Sequence, residues 1–536
     1  MSETKPTRSL AGIAGIVAVA TVLSKLAGLF RQQAIGAAFA VGPVADAYSF
    51  AYIIPGFLLI LLGGINGPFH SAIVSVVARQ DRKDTAILIE AINSLVGLLL
   101  VGLVIILFLL AEPIIHAIAP GLEATAQDIA VLQLRIMSPM ALLAGLIGIG
   151  FGALNADNQF WLPSISPIFS SGIVLVALGV LYVLIGPAMT SPQFYLLGGA
   201  VLAASTLGGA VLQWLAQVPA LWRSGLGGLT LRFDWSIPGV RQVFRVLVPA
   251  TLSSGMLQIN LFTDLFFASY IAGTAAALSY ANLLVQTPLG IISNVILVPF
   301  LPIFARLADP LHWPELKDRI RQSLLFTAIT MLPLGVLFVV LASPLVRVIY
   351  ERGAFDQKAS NLVISLLIVY GLGMFIYLAR DVLVRVFYAM GDGQTPFRIS
   401  LINIALNALL DYWFIQWLGA PGLVLATVGV NLFATLTMVV ILHQRLGGLP
   451  LGKWAGAIAA LAGVSGLAGG LAWLTLWGLQ HWLGMVGFGN LLLQLLIPGA
   501  GGLVAFILIA LTLPIPEIGQ LANRVKQRFI KQAPDP

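Results

Sequence analysis

Long apolar runs separated by short polar stretches set the pattern of this chain. They cover 13–39, 48–74, 87–110, 129–154, 165–185, 194–221, 246–272, 277–304, 324–342, 362–388, 397–418, 423–442, 454–476 and 491–513. Most reach the ~20 residues that carry a helix across a bilayer at about 1.5 Å per residue. None shows the period-two alternation of a barrel strand, so helices are predicted throughout. The expected fold class is all-α, a polytopic membrane protein of about 14 transmembrane helices.

The polar punctuation between the runs repeats. Ala111-Glu-Pro-Ile-Ile-His-Ala-Ile118 matches Ala342-Ser-Pro-Leu-Val-Arg-Val-Ile349 at an offset of 231. Pro55 falls on Pro288 at 233, and Phe151-Gly-Ala-Leu-Asn-Ala-Asp-Asn-Gln falls on Phe387-Tyr-Ala-Met-Gly-Asp-Gly-Gln-Thr at 236. Three matches in sequence order imply duplication, and duplication within a membrane protein points to transport. An even number of helices per copy makes the copies parallel repeats. Two parallel six-helix lobes are therefore expected, at 1–225 and 235–445, with a cavity between them and alternating access as the mechanism. Residues 452–515 add two further helices, and 516–536 form a cytoplasmic tail.

Composition agrees with a membrane setting. Hydrophobic residues make up 59% and charged residues 9%, where soluble domains carry about a quarter charged; mean hydropathy is +0.99. In alternate loops counted from the N-terminus lie 22 of the 28 Lys and Arg. Basic loops stay in the cytoplasm, which places both termini there in a multi-pass protein of the cytoplasmic (inner) membrane. The net charge of +7 is thus accounted for by topology and gives no ground for a nucleic-acid partner. Ala38-Phe-Ala40 resembles a signal cleavage site, but Lys25 and Arg31 interrupt the run before it, so the first helix is expected to be retained. There are no cysteines and only five scattered histidines, and no phosphate loop or nucleophile triad is seen. Neither an enzyme nor a cofactor is expected; a coupling ion or the membrane potential is left open as the energy source.

Ionisable groups inside apolar spans cost roughly 2.5–3.5 kcal/mol each on insertion scales, which makes them functional candidates. The first run carries Lys25 and, about 9 Å further along, Arg31. Six residues place them about 120° apart, so a bend at Ala27-Gly28 or a wide cavity is needed for both to meet one ligand. Arg31 has a second reading, as a partner of Asp46 or a group reaching for the outer interface. Asp264 sits 233 residues after Arg31 and is a candidate gate; a hydrogen bond to Gln258 or Asn260 is the plainer alternative. Arg135 is either a third cavity cation or an anchor for the outer end of its helix. Arg380, Asp381 and Arg385, ahead of the turn Gly391-Asp392-Gly393, read as a structural ion-pair belt. Asp411, preceded at helical spacing by Asn403 and Asn407, either binds a coupling cation or joins neighbouring helices. Tyr350-Glu-Arg-Gly-Ala-Phe355 is too polar to span and reads as a short surface helix or turn held at the interface by Arg347 and Phe355.

Taken together, several segments resemble the MurJ (MviN) family of the multidrug/oligosaccharidyl-lipid/polysaccharide exporter superfamily. They are Ser24-Lys-Leu-Ala-Gly28 with Arg31, Asp46-Ala47 followed by Pro55, Gln258 with Asp264, Tyr280-Ala281 before Pro288, Ile349-Tyr-Glu-Arg-Gly-Ala-Phe355, and Arg385-Val-Phe-Tyr-Ala-Met-Gly-Asp392 with Thr395-Pro396. The resemblance implies a flippase for an undecaprenyl-diphosphate-linked peptidoglycan precursor, with a cationic cavity for the headgroup and a groove by the last two helices for the polyprenyl tail. The resemblance matches Arg31 to a family arginine and Lys25 to another replaced by lysine; with the charges read above, Ser24, Lys25, Arg31, Asp46 and Arg135 are the substrate-binding candidates, Asp264 and Asp411 the gating or ion-coupling ones. The partners implied are the lipid-linked saccharide and membrane lipids, with a monomer expected. Leu59, Leu283 and Gln286 stand where the family carries charges. That departure keeps a second reading open, a flippase for another polyprenyl-linked oligosaccharide. A cation-coupled drug antiporter is the third; it calls for a carboxylate-dominated cavity and no extra helices.

Overall fold

The computed structural model describes residues 10–63, 68–77, 82–228, 230–237, 239–256, 259–484 and 487–519. The chain divides into two compact units, 1–276 with 352–356, and 277–351 with 357–536. Every element among the described residues is a helix, a turn or irregular structure.

The first unit begins with α1 (Leu10–Phe39), α2 (Pro43–Leu61), α3 (Pro68–Val77), α4 (Arg82–Leu109) and α5 (Ala111–Ile118). It continues through α6 (Ala124–Met137), α7 (Met140–Ala156), α8 (Trp161–Ile165), α9 (Pro167–Ile185), α10 (Tyr195–Leu215), α11 (Val218–Ser224), α12 (Val240–Met256) and α13 (Ile259–Ala268). Its core gathers Leu62, Ile73, Leu88, Ile92, Ala144, Ile149, Val243 and Leu247 from α3, α4, α7, α12 and the end of α2. Leu59 packs against this cluster, which accounts for an apolar side chain there. The fourth apolar run is two helices, α6 and α7, meeting at 41° across Ser138-Pro139. Proline at that point cannot continue the hydrogen-bond ladder.

The second unit takes over within α14 (Thr274–Arg306) and holds α15 (Trp313–Val340), α16 (Ala342–Tyr350), α17 (Gln357–Ala389), α18 (Gln394–Leu418), α19 (Ala420–Arg445), α20 (Leu451–Leu483) and α21 (Phe488–Ala510). The α15–α17 crossing is tight: a Cβ at Gly371 would lie 2.8 Å from the carbonyl oxygen of Gly335. Small residues let membrane helices approach in this way. The two added helices lie on α15, where Leu325 and Ala328 meet Leu461, Val464, Ala468, Phe506 and Ala510.

Among the described residues, eleven helices are long and apolar enough to cross a membrane, or up to twelve when α6 and α7 count as one span. Among the described residues the fourteen apolar runs fall mainly on helix, but the number of qualifying spans is smaller than the fourteen expected. The repeated Ala-x-Pro segments become matching elements. α5 and α16 are short amphipathic helices, each set off from a long helix by one leucine. Leu110 has φ −96° and ψ 16°, and Leu341 has φ −95° and ψ 9°.

Candidate functional site

α1 runs unbroken past Gly28, so no break brings Lys25 and Arg31 onto one side, and the ideal separation of about 120° stands. The Lys25 side chain is exposed, near the exposed Val22, Leu23 and Leu26. Ser24 faces inward and its Oγ donates to the carbonyl oxygen of Ser164 at 2.9 Å, tying α1 to α8. Arg31 is half-buried near the Tyr48 phenol of α2. Its Nε is enclosed without a hydrogen-bond partner among the described residues. Tyr48 in turn shares a hydrogen bond of 3.0 Å with Thr206 Oγ1 of α10.

Asp46 does not pair with Arg31. It is 3% exposed, and its two carboxylate oxygens accept the backbone N–H groups of Gly273 at 3.0 Å and Ala276 at 3.1 Å. The carboxylate therefore caps the first turn of α14, the position where an anion meets unsatisfied amides and the positive end of the helix dipole. The same turn between α1 and α2 receives a second segment. Ala354 N–H donates to the carbonyl oxygen of Ala37 at 2.8 Å. Gly353 has φ +61°, and any Cβ there would collide with that carbonyl, so only glycine fits. Phe355 is 1% exposed. The segment is a surface turn as expected, with Arg352, Gly353 and Asp356 exposed, but the expectation that Phe355 anchors it at the membrane interface is corrected: residues 352–356 clasp the end of α1 with the aromatic ring inside. Arg347 makes a local ion pair with Glu351 at 3.5 Å, and Glu351 also accepts from Ser360 Oγ at 2.8 Å.

Asp264 is half-buried on α13 and engaged with neighbouring groups; Gln258, expected beside it, lies outside the described residues. Arg135 is exposed in the last turn of α6, at the α6–α7 bend. These placements bring Arg31 and Asp46 into the same region of the first unit, and leave Lys25 on a different face of α1.

In the second unit Asn403, Asn407 and Asp411 are 2%, 1% and 0% exposed along one face of α18, and Asn407 Nδ2 donates to Asp411 Oδ2 at 2.8 Å. A second polar locus has a different make-up. A cavity of about 260 Å³ opens among α14, α17 and α19, lined in part by Gln286, Ser293, Tyr377, Arg380, Asp381 and Asn431. Asp381 is surrounded by protein, yet its side chain is exposed within this space. The ion-pair belt expected here is absent: among the described residues neither Arg380 nor Arg385 comes within ion-pair distance of Asp381, although both act on it electrostatically. Sequence reasoning missed the cavity because its lining comes from three helices far apart in the chain. The available signal was Gln286 and Ser293 seven residues apart on α14, two turns along one helix face, with Gly290 leaving room between them.

Beyond the spans, Asp392 closes the α17–α18 turn. Burial works against its ionisation. The Thr395 hydroxyl and backbone N–H and the Arg445 guanidinium outweigh that and hold the carboxyl below its usual range.

Comparison with known proteins gives a consistent picture. A sequence model of the family described as lipid II flippase MurJ matches residues 35–493. A probable lipid II flippase MurJ of Synechocystis sp. is 53% identical over 531 residues, 98% of each chain. A lipid II flippase MurJ of Burkholderia cenocepacia is 29% identical, covering 86% of this chain and 88% of that one. Among solved structures, one of lipid II flippase MurJ in an inward closed conformation superposes with a TM-score of 0.72 at 23% identity, over 92% of this chain and 98% of that one. An inward-facing multidrug resistance MATE family transporter of the MOP superfamily gives 0.62 at 16% identity, over 81% and 98%. At these identities the structural likeness speaks for the fold alone.

Proposed function

The chain belongs to the MurJ family of lipid II flippases, and from that premise we propose how its residues serve the transfer. It is a transporter in a membrane, not a catalyst, and its cargo is the lipid-linked peptidoglycan precursor lipid II. The observation that carries this is the family match over 35–493 together with the 53% identity over nearly the whole chain.

A diphosphate on a lipid anchor needs a cation in a poorly hydrated setting, where a charge-assisted hydrogen bond is stronger than in water. Arg31 supports that role, because its guanidinium is half-buried and its Nε is enclosed without a protein acceptor among the described residues. Lys25, exposed on α1, fits first encounter with the headgroup, and Ser24 and Tyr48 hold α1 and α2 in place around Arg31. Asp46, occupied by the α14 amides, acts in our reading on the conformation of the outer end and not on the cargo. Asp264 is assigned to gating, and Arg135 to anchoring the outer end of α6. Asp411 is assigned to the coupling cation: its carboxylate is fully buried, and the side chains of Asn403 and Asn407 supply further oxygens along the same face of α18. Both termini are placed in the cytoplasm, the membrane is the cytoplasmic one, and the working unit is a monomer.

The test is complementation of a bacterial strain depleted of its own lipid II flippase. The wild-type chain should restore growth and the appearance of headgroup on the outer face. Growth restored equally by the Lys25→Ala, Arg31→Ala double variant would remove the phosphate-receiving role from α1.

A further inference from the structure

The cavity among α14, α17 and α19 has a charge pattern that the diphosphate does not explain. It presents one guanidinium, Arg380, and one carboxylate, Asp381, with neutral Gln286, Ser293 and Asn431 around them. The two charged residues are adjacent on α17 and so point about 100° apart, yet both reach the same space without closing on each other. A diphosphate placed there would be drawn to Arg380 and repelled by Asp381. A sugar ring would leave both charges to water alone and gain no charge-assisted contact from either. The ligand that satisfies both carries an anion and a cation. At about 260 Å³ the space falls below the ~300–1,000 Å³ of a drug-sized pocket, which suits one or two amino-acid residues better than a whole headgroup.

We propose that this cavity binds a zwitterionic end of the peptide carried by the lipid-linked cargo, its terminal carboxylate on Arg380, its side-chain ammonium on Asp381, and its amide and remaining polar atoms on Gln286, Ser293 and Asn431. The source of the peptide rests on the flippase reading above; the chemistry of the cavity does not. It assigns the second unit a share in recognition of its own, an amphoteric site for peptide. A polyprenyl-linked saccharide without peptide would leave the site unfilled.

The experiment is calorimetric titration of the full-length protein in detergent with α-N-acetyl-lysyl-alanine, which carries one ammonium and one carboxylate. The doubly acetylated dipeptide and inorganic pyrophosphate serve as comparators. The expected result is saturable binding of the first, weaker by at least tenfold when the side-chain amine is acetylated, as loss of a charge-assisted contact implies. Asp381→Asn should abolish that discrimination, and Arg380→Gln should weaken both dipeptides at least tenfold. The comparison of the two dipeptides on wild-type protein needs no variant to fold. Equal affinity for both, no binding of either, or displacement of the dipeptide by pyrophosphate in a manner lost in Arg380→Gln overturns the proposal. Flipping of unmodified lipid II in vesicles is scored separately. Flipping without dipeptide binding removes this site and leaves the function; dipeptide binding without flipping removes the function and leaves the site.

Discussion

Arg31 is the residue on which the phosphate argument turns, because its Nε is enclosed while its neighbours offer it no acceptor among the described residues. A charge-assisted contact contributes about 1.5–3 kcal/mol, so Arg31→Ala should slow flipping by about one to two powers of ten. Lys25→Arg should be tolerated, since its position asks for charge more than for shape. Headgroup accessibility on the outer face, measured at equal expression, checks both, and unchanged flipping in Arg31→Ala contradicts the assignment. Asp392 gives a prediction about pH. Its folded carboxyl is held below the ordinary value of 3.8, so its contribution is complete above about pH 4 and drains away as pH falls through the lowered value. With Arg445 41% exposed and Asp392 16%, the contribution is about 1 kcal/mol. Asp392→Asn should lower the thermal midpoint at pH 7 and flatten the loss of stability below pH 4; equal midpoints for variant and wild type at pH 7 would remove Asp392 as a brace of the turn. The α1 cations were legible in the sequence because a charge inside an apolar run is costly and therefore conspicuous. Asp46 was legible as a candidate but not in its role, since its partners are backbone amides more than 220 residues away.

Among elements, the two short helices after the long ones show how far the sequence reaches. α5 and α16 were visible as a repeated Ala-x-Pro segment, and the structure gives both the same single-leucine break before them. The α6–α7 bend was hidden within one apolar run, because hydropathy averages over a proline. The 352–356 clasp was misread for a different reason. A free polar loop and a clasp share the same composition, and only the close approach of Gly353 to Ala37 distinguishes them. Gly353→Ala combines a left-handed backbone with a steric collision, so it should cost on the order of 1–3 kcal/mol locally. The clasp should then release while the rest of the fold persists. Hydrogen exchange at Ala354 reads this out, and unaltered protection in Gly353→Ala would mean that the clasp does not depend on the glycine.

At the scale of the whole molecule, class, membrane setting and family were legible because the bilayer restricts a spanning chain to few solutions. The α14–α17–α19 cavity was not, since each of its polar side chains is ordinary alone. If Asp411 holds the coupling ion, flipping in vesicles should rise with an imposed gradient of that cation, and Asp411→Asn should remove the dependence while leaving the fold. A gradient response retained by that variant places the ion elsewhere. The clasp at the end of α1 has a further consequence for resting populations. One neutral hydrogen bond, to Ala37, and two to the Asp46 carboxylate together contribute about 5 kcal/mol at ~1 and ~2 kcal/mol apiece. An undriven molecule would then release this end on the order of once in a few thousand visits, and a cargo that binds both states equally would not change that ratio. The chain has no cysteine, so a single thiol placed by Ala37→Cys reports the released fraction directly. Its alkylation in resting protein should be slow, should quicken about tenfold or more when Asp46→Asn weakens the cap, and should quicken again only when a gradient is applied. A thiol that responds in this way makes the acid of α2 a timer: it sets how long the protein waits, and leaves what it carries to other residues.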